Sequence, residues 1–376
     1  MSRLRAVHLG LVATLGIVAS ANSAVAASGP GPSQAQEPAL PGQVFTMSND
    51  PAGNEVIAFD VGRSGSLSPA GTYETGGTGL GAGLGSQGSL VTSEDGRYLL
   101  AVNAGSDEVS VFRIAQHGLF LVDTDPSGGQ TPTSVAIHRN LVYVLNNGDD
   151  TISGYRLGWR GLTPIGGSTR SLSQPADAGQ VSFTPDGNQL VVTQKDTNTV
   201  DVFNVDRSGR TSAPVANPST GATPFGFAFD KYEHLVVSNA GGGVVNGSSV
   251  TSYRISSSGE LHVLDGPAPT DQSAACWVII SPDGQYAYTT NAGSNTVSGF
   301  KVDRDGDLVR LDADGVTATT GQGPIDGAFS DRTGYLFVLT GGADAIDGFR
   351  MTRDGGLAPV SQLGGLPAQS VGLAAT

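Results

Sequence analysis

Residues 200–209 read VDVFNVDRSG, and this stretch carries the pattern that decides the fold. A Val or Ile is followed three residues later by Phe or Tyr and, six residues after the aromatic, by Gly. The pattern occurs seven times, with the aromatic residue returning every 43 to 53 residues. A repeat of this length with strand composition predicts a β-propeller or another stacked array. The aromatic residues are Phe59, Phe112, Tyr155, Phe203, Tyr253, Phe300 and Phe349, and the glycines are Gly65, Gly118, Gly161, Gly209, Gly259, Gly306 and Gly355.

The residues around this stretch divide one repeat into four strands. Residues 179–184 predict a short first strand, and the turn Pro185-Asp186-Gly187 follows it. Residues 190–194 are mostly apolar, which is typical of a strand buried on both faces. Residues 200–205 form the third strand with the aromatic residue, and a weaker fourth strand comes next. Each repeat therefore predicts one four-stranded antiparallel blade.

The two ends of the chain complement each other. The first strand signal, Gln43–Met47, matches the second strand of a repeat, so this repeat lacks its own first strand. Residues 367–374 resemble the openings of two other repeats, at 132–136 and 324–328. We therefore predict an all-β, seven-bladed propeller that the C-terminal strand closes in blade one. Closing the ring removes strand edges that would otherwise be exposed.

The N-terminal residues have the layout of an export signal. Arg3 and Arg5 precede an apolar run at 9–19 and a small-residue cleavage site at 24–26, which predicts a secretory signal peptide over residues 1–26. Residues 27–41 are rich in Ser, Pro, Gly, Gln and Ala and predict a flexible leader, which leaves 42–376 for the propeller. The apolar run is too short to span a membrane, so we expect a secreted protein without membrane insertion.

Composition limits the partners of this chain. The formal charge of −14 becomes −16 when the signal peptide leaves with its two arginines, and an acidic protein repels nucleic acid. The single cysteine, Cys276, allows no intrachain disulfide. The histidines show no metal-ligand spacing, and the Gly-rich residues 77–88 lack the Lys-Ser/Thr and the helix of a phosphate loop. We expect a monomer without metal or cofactor, in which 77–88 is a mobile loop at the rim.

One repeat also carries a family resemblance. Tyr288-Thr289-Thr290-Asn291, followed by Asn295-Thr296-Val297, resembles the YVTN type of propeller repeat. Together with the blade spacing, the Pro-Asp-Gly turns and the closing strand, it is similar to the seven-bladed lactonase family. That family includes propeller 6-phosphogluconolactonases and the fungal carboxymuconate cyclase. The resemblance covers essentially the whole chain after the leader and implies the propeller fold.

The motifs that the resemblance implies for the active site are altered in this chain. The family's Pro-x-His falls at 132–134, its Gln-Pro-His-x-His at 174–178, its Pro-Arg at 224–225 and its Asn-Glu at 239–240. General acid–base and oxyanion-binding groups for lactone hydrolysis are therefore absent from the expected positions. Where the family has His, His, His, Arg and Glu, this sequence has Ser134, Ala176, Ala178, Phe225 and Ala240.

The repeats also place one residue of each innermost strand at a common level of the central channel. Trp277 could stack there on a flat or sugar-like ligand while polar neighbours supply hydrogen bonds. The alternative is that Trp277 is a packing plug and the polar groups meet water. The predicted ligand-binding residues are Gln180, Trp277, Asp326, Gln369 and Ser134, and the candidate acid–base residues are Asp177 and Asp326.

Three functions remain open from the sequence. The first expectation is a secreted propeller that binds a small molecule or an extracellular partner at its axial mouth. The second is a lactone hydrolase or cycloisomerase with a rearranged site, in which Asp177 and Asp326 act as acid and base. The third is a structural or protein-interaction module, which a filled mouth would favour.

Overall fold

The computed structural model describes residues 42–116, 118–175 and 177–376, so the predicted signal peptide and leader lie outside the described residues. The described residues form thirty β-strands and no helix. In chain order the strands are β1 Gln43–Met47, β2 Glu55–Val61, β3 Leu67–Glu74, β4 Leu90–Thr92, β5 Tyr98–Asn103, β6 Glu108–Ala115, β7 Gly118–Pro126, β8 Pro132–His138, β9 Leu141–Asn146, β10 Thr151–Gly158, β11 Gly161–Pro164, β12 Arg170–Ser171, β13 Ala178–Phe183, β14 Gln189–Gln194, β15 Thr199–Asn204, β16 Val215–Pro218, β17 Pro224–Phe229, β18 Leu235–Asn239, β19 Ser249–Ile255, β20 Leu261–Pro269, β21 Ala275–Ile280, β22 Tyr286–Asn291, β23 Thr296–Val302, β24 Leu308–Arg310, β25 Ala318–Thr319, β26 Pro324–Phe329, β27 Tyr335–Thr340, β28 Ala345–Met351, β29 Leu357–Gly364 and β30 Val371–Ala375.

The strands pair into seven antiparallel sheets, which are the blades of the propeller. Blade one has the order β30-β1-β2-β3, blade two β4-β5-β6-β7, and each later blade takes the next strands in sequence. In blades three and six the outermost strand is split in two, so β11 and β12 both pair with β10, and β24 and β25 with β23. The first strands of neighbouring blades contact one another in a closed cycle, so they surround the axis. The predicted seven-bladed, all-β fold is confirmed.

The recurring aromatic residue and glycine each have a physical reason. All seven aromatic side chains are at most 4% exposed, and burying one contributes roughly 1.5–3 kcal/mol. All seven glycines have positive φ, between 80° and 120°, a region that side chains with a Cβ disfavour. The turns also contact the preceding blade, because the Tyr143 hydroxyl donates to Gly209 O at 2.8 Å and the Tyr288 hydroxyl to Gly355 O at 2.7 Å. The pattern therefore specifies both the core of each blade and its contact with the next.

The C-terminal strand closes the ring as the sequence predicts. β30 pairs antiparallel with β1, with Val44 opposite Ala375 and Met47 opposite Val371. The Thr376 amide donates to Gln43 O at 2.9 Å and extends the pairing by one bond. Blade seven adds a further contact, because Asp326 Oδ2 accepts the Leu373 amide at 3.1 Å. The two ends of the chain therefore share one blade.

The innermost strands pair irregularly near their first residues, at the end that faces the axial mouth. In blade four the ladder skips Gly179, and in blade six it skips Cys276. Similar shifts occur at the start of β8, β17 and β26. Bulges of this kind re-aim side chains and often lie beside functional sites. In this protein they separate the residues before the bulge, at the mouth, from those that line the channel behind it.

Candidate active site at the axial mouth

The polar residues predicted at the channel level join neighbouring blades. Gln180 Oε1 accepts the Phe227 amide at 2.7 Å, and Ser134 Oγ accepts the Val181 amide at 3.1 Å. Gln180 is 7% exposed and Ser134 is fully buried. Both groups thus satisfy a backbone N–H of the next blade, which a buried peptide group needs. In this conformation the Gln180 Oε1 and Ser134 Oγ atoms are both engaged by the protein.

The closing strand departs from the predicted register. Gln180 accepts the amide of Phe227, the residue that follows Gly226 of the neighbouring blade. Asp326 accepts the Leu373 amide in the same way. By this correspondence Gly372, one residue before Leu373, is the blade-one residue at the channel level. Gln369 lies before β30, exposed, with φ at 70° and its carbonyl accepting from Asn49 Nδ2 at 3.4 Å. The placement of Gln369 at this level is corrected on this geometry, because the bond from Leu373 to blade seven sets the register of β30.

Trp277 is packed against other residues at the channel level. Its side chain is 7% exposed, its indole N–H donates to Ser86 O at 3.0 Å, and its ring lies 4.9 Å from that of Phe225. An indole that packs on another ring and has its N–H satisfied is fully engaged by the protein. The packing interpretation of Trp277 therefore describes this structure, and the stacking face is not free.

The Gly-rich residues 77–88 cross the mouth instead of forming a loop at its rim. Gln87 comes from the segment before blade two and exchanges two bonds with Val278 of blade six, accepting its amide at 3.0 Å and donating to its carbonyl at 2.7 Å. A side chain at Gly226 of blade five would collide with the neighbouring blade, because a Cβ there would lie 2.6 Å from the backbone Cys276 O as well as 2.1 Å from Gln87 Oε1. The segment ties together opposite sides of the ring because its glycines allow close approach.

Asp326, the second predicted acid–base residue, lies inside the fold. It is 4% exposed and accepts the amides of Gly327 at 2.9 Å and Leu373 at 3.1 Å. Burial raises the pKa of Asp326 to about 7, although the two amide bonds oppose the shift. The carboxyl group therefore holds the closing strand and does not face the mouth.

Asp177, the other predicted acid–base residue, belongs to a charged cluster at the mouth. Its Oδ2 lies 2.9 Å from Lys195 Nζ, and its Oδ1 accepts Asn147 Nδ2 at 2.8 Å. The Asp177 side chain is 50% exposed, whereas the Lys195 side chain is only 8% exposed. Lys195 Nζ also donates to Gly85 O at 2.5 Å and lies 4.8 Å from the centre of the Phe225 ring. A carboxylate accessible to water is thus held from behind by a buried ammonium group.

The backbone fixes the position of this cluster. Asp177 immediately precedes β13 and Lys195 immediately follows β14, and the Lys195 amide donates to Asp177 O at 3.0 Å. Asn147 follows β9 of the neighbouring blade, and its Oδ1 accepts the Ala178 amide at 2.8 Å. The carboxylate is therefore oriented by two strand ends, and rigid supports of this kind are what a catalytic group requires.

Asp177 was predicted from the sequence, whereas its partners Lys195 and Asn147 were missed. A signal was present, because Lys195 is one of only three lysines in the chain and directly follows a second strand. The same position in three other blades is occupied by alanine, at Ala104, Ala240 and Ala292. A long charged side chain where the other repeats have a methyl group indicates a specialised mouth at blade four.

Cys276 lies next to this cluster, and its thiol is unreactive near neutral pH. Its side chain is buried in a small apolar group with Phe225 and Trp277. Burial raises the pKa of the Cys276 thiol to about 12, although the charge of Lys195 opposes the shift. Because the thiolate is the nucleophile, a thiol with this pKa is inert near neutral pH.

The described ranges contain neither a candidate metal site nor a candidate membrane-spanning helix. Among residues 42–116, 118–175 and 177–376, no three side chains of His, Cys, Asp or Glu are grouped so that they could hold a metal ion. In the same ranges no helix has the length and apolar character needed to cross a membrane.

Comparison with known proteins identifies the family. The family model described as Lactonase, 7-bladed beta-propeller matches residues 51–161, 162–265 and 246–375. The chain therefore belongs to the seven-bladed β-propeller lactonase family, which confirms the resemblance seen in the sequence.

Individual relatives are distant. The 6-phosphogluconolactonase of Photorhabdus laumondii is 24% identical over 181 residues, which cover 46% of this chain and 55% of that protein. The match thus spans about half the length of this relative. The periplasmic gluconolactonase of Pseudomonas aeruginosa has a similar structure, with a TM-score of 0.67, 18% identity and coverage of 87% of this chain and 98% of that chain. A Bacteroides fragilis structure gives a TM-score of 0.71 at 19% identity, covering 89% and 98%. At this identity the structures establish the fold.

These names overturn the first functional expectation. A propeller that only binds a small molecule or an extracellular partner is contradicted as the leading interpretation, because the relatives carry the names 6-phosphogluconolactonase and gluconolactonase. They favour the second expectation, a lactone hydrolase with a rearranged site. The first expectation rested on the loss of the family's His, Arg and Glu from their expected positions, and the names of the relatives outweigh that loss.

Proposed function

We propose that this propeller hydrolyses a sugar lactone at its axial mouth. The observation that carries the proposal is the pair of Asp177 and Lys195, 2.9 Å apart, beside the mouth of a lactonase-family propeller. Asp177 lies within residues 174–178, the stretch that corresponds to the family's Gln-Pro-His-x-His motif. Asp177 therefore lies between positions 176 and 178, where the resemblance implies the family's histidines and this chain has alanines.

A lysine from a different position of the sequence takes the place of the arginine that the resemblance implies. The resemblance implies an arginine at position 225, where this chain has Phe225. Lys195 reaches over that ring from the preceding blade, with Nζ 4.8 Å from its centre. A positive charge thus returns to the same part of the mouth, and the aromatic face stabilises it by about 1–2 kcal/mol. This replacement is the physical support for a rearranged site.

The cluster supplies two of the groups that hydrolysis needs. In the proposed reaction Asp177 takes a proton from water, and the resulting hydroxide adds to the lactone carbonyl carbon. The Lys195 ammonium is the cation nearest to the oxyanion that develops, and a fixed cation of this kind lowers the barrier. The tetrahedral intermediate then breaks its bond to the ring oxygen, which takes the proton back from Asp177. One lactone and one water give one hydroxy acid, and Asp177 returns to its starting state.

The charge of the mouth favours a neutral lactone over a phosphorylated one. Lys195 is paired with ionised Asp177 when substrate binds, so it then has little spare charge for a phosphate group, and its charge turns to the oxyanion only after Asp177 has taken up the proton. The protein as a whole carries a formal charge of −14, which repels a substrate with two negative charges. We therefore expect an unphosphorylated sugar lactone, such as glucono-1,5-lactone, to be the better substrate.

The test is the initial rate of lactone hydrolysis by purified protein above the uncatalysed rate. Glucono-1,5-lactone and its 6-phosphate should be compared for the wild type, Asp177→Asn and Lys195→Met. Loss of a general base typically costs about 10²–10⁴-fold in kcat, and the same loss is expected for Asp177→Asn. Asp196→Asn is the matched control, because Asp196 is an exposed carboxylate adjacent to Lys195 and should act like the wild type. A wild type without activity on either lactone would refute the proposal.

Export is a separate proposal that rests on the sequence. The basic start, the apolar run and the small-residue site over residues 1–26 favour a secreted enzyme, which would meet neutral lactones outside the cell. The N-terminal sequence of the protein recovered from culture medium tests it. A mature chain starting near residue 27 is expected, and a protein found only inside the cells with Met1 intact would contradict it.

A further inference from the structure

A second candidate site lies at the ends of the blades opposite to the mouth. The turn between β4 and β5, the turn between β8 and β9 and the hairpin tip between β10 and β11 enclose a half-open cleft of about 450 Å³ between blades two and three. This volume lies in the range of pockets that hold small organic ligands. The residues that matter for its chemistry are Arg97, Tyr98, Arg139, Asn140, Leu157 and Trp159.

Trp159 is the unusual residue of this cleft. It stands at the tip of the β10–β11 hairpin with 78% of its surface exposed, and Arg160 places its guanidinium 4.3 Å from the indole centre. Neither contact with the core nor a buried N–H explains an indole at a hairpin tip. A single exposed apolar residue is common on a protein surface, but an indole beside an open cleft is available to stack on a bound ring. The stacked arginine limits the rotation of the ring and so provides a ready platform.

In the cleft the carboxylates have partners, whereas guanidinium nitrogens remain available for a ligand. Asp95 Oδ2 holds Arg97 Nε at 2.7 Å, so the guanidinium is oriented, and its terminal nitrogens make no hydrogen bond with any described residue. Glu94 is paired with His138 at 2.8 Å. Arg139 makes neither a hydrogen bond nor an ion pair with any described residue, and its backbone adopts φ of 55°. The acidic groups are therefore occupied, whereas two guanidinium groups can still bind an anion.

We propose that this cleft binds an acidic saccharide, with the apolar face of a sugar ring on Trp159 and its carboxylate on Arg97 and Arg139. Planar guanidinium groups match carboxylate geometry with paired hydrogen bonds. The free amide nitrogen of Asn140 and the Tyr98 side chain add polar contacts for hydroxyl groups. Glu94 and Asp95, which also line the cleft, disfavour a group that concentrates two negative charges, such as the phosphate of a nucleotide. Carboxylates spaced one to a sugar ring, among several hydroxyls, fit this mixture best.

Isothermal titration calorimetry of the full-length protein with digalacturonate tests the proposal. Binding in the range of about 0.1–1 mM is expected, with galactobiose, the neutral counterpart, at least about tenfold weaker because it lacks the carboxylates. Affinity should fall as NaCl is raised, since the anion contacts are exposed to solvent. Trp159→Ala and Arg139→Ala should each weaken digalacturonate binding about tenfold or more. Both residues are exposed, so the melting temperature should stay unchanged.

The controls separate this site from other surfaces and from the mouth. Tyr232→Ala removes another exposed aromatic group with a lysine stacked on it, at 5.1 Å in blade five, and should bind as the wild type does. Asp177→Asn should also bind normally, so failure of the proposed hydrolysis does not affect this result. Absence of digalacturonate binding, equal affinity in Trp159→Ala, or tighter binding of AMP than of digalacturonate would overturn the proposal.

Discussion

Asp326 makes a quantitative prediction about stability. The perturbation is Asp326→Asn, which keeps the size of the side chain and removes its titration. Burial raises the pKa of Asp326 in the folded protein to about 7, compared with an ordinary value of 3.8. Between these two values the unfolded chain releases the proton while the folded protein keeps it, so stability falls as pH rises. The wild type therefore has this contribution below pH 3.8 and loses it by about pH 7.

The structure sets the size of the effect. From pH 5 to 7 the loss of unfolding free energy is about 2–3 kcal/mol, since each full unit corresponds to about 1.4 kcal/mol and the folded carboxyl group begins to ionise near pH 7. For a chain of this length that loss lowers the melting temperature by about 4 °C. The amide side chain of the Asp326→Asn variant does not titrate. However, Asp326 accepts hydrogen bonds from two backbone N–H groups, and the NH₂ group of the asparagine would face one of them. Leaving that donor unpaired costs about 1–3 kcal/mol at every pH.

The assay is calorimetric melting of both proteins at pH 5 and pH 7.5. The quantity to compare is the difference in melting temperature between the wild type and Asp326→Asn at each pH. Every other titrating group is present in both proteins, so this difference isolates the effect of Asp326. Asp326→Asn should melt well below the wild type at pH 5, and the gap should narrow by about 4 °C at pH 7.5. A gap of constant size at both pH values would show that the carboxyl group is ionised throughout, and the reasoning would fail.

Three further predictions concern the ring and the mouth. Deleting residues 367–376 removes β30 from β1 and should lower the melting temperature and broaden the transition, whereas an unchanged transition would contradict the shared blade. Gly226→Ala should destabilise by about 1–3 kcal/mol because its Cβ would lie 2.6 Å from the backbone Cys276 O as well as 2.1 Å from Gln87 Oε1. Gly53→Ala is its control, with nothing within 4 Å of the added Cβ, and an equal melting temperature for both variants would refute the close approach. Cys276 should resist thiol reagents in the folded protein and react once it is denatured, whereas rapid labelling of the native state would contradict the burial of the thiol.

The fold could be predicted because its determinants are local and repeated. Seven aromatic residues and seven glycines recur at fixed spacing, and each has the same burial or backbone conformation in every blade. The strands predicted in blade four differ from β13, β14 and β15 by one residue at most of their ends. Alternation and turn chemistry act over a few residues, so they are visible in the sequence.

The site could be predicted only in part, because it depends on contacts between distant residues. Gln87 meets Val278 across 191 positions of the chain, and this contact exists only once the ring is closed. Lys195 reaches Phe225 from another blade, so neither residue alone indicates a cation at that place. Asp177 was predicted from its position in a motif, whereas its partners follow from the geometry of the blades. Register at the closing strand was misplaced for the same reason, since a neighbouring blade sets it.

The most direct test of the central claim is the initial rate of glucono-1,5-lactone hydrolysis by the wild type, Asp177→Asn and Asp196→Asn, measured side by side at neutral pH. If Asp177 is the base of a lactone hydrolase, the wild type exceeds the uncatalysed rate, Asp196→Asn matches the wild type, and Asp177→Asn loses at least about 100-fold in kcat. Equal rates for all three folded proteins would place the chemistry away from the Asp177–Lys195 pair and contradict the account.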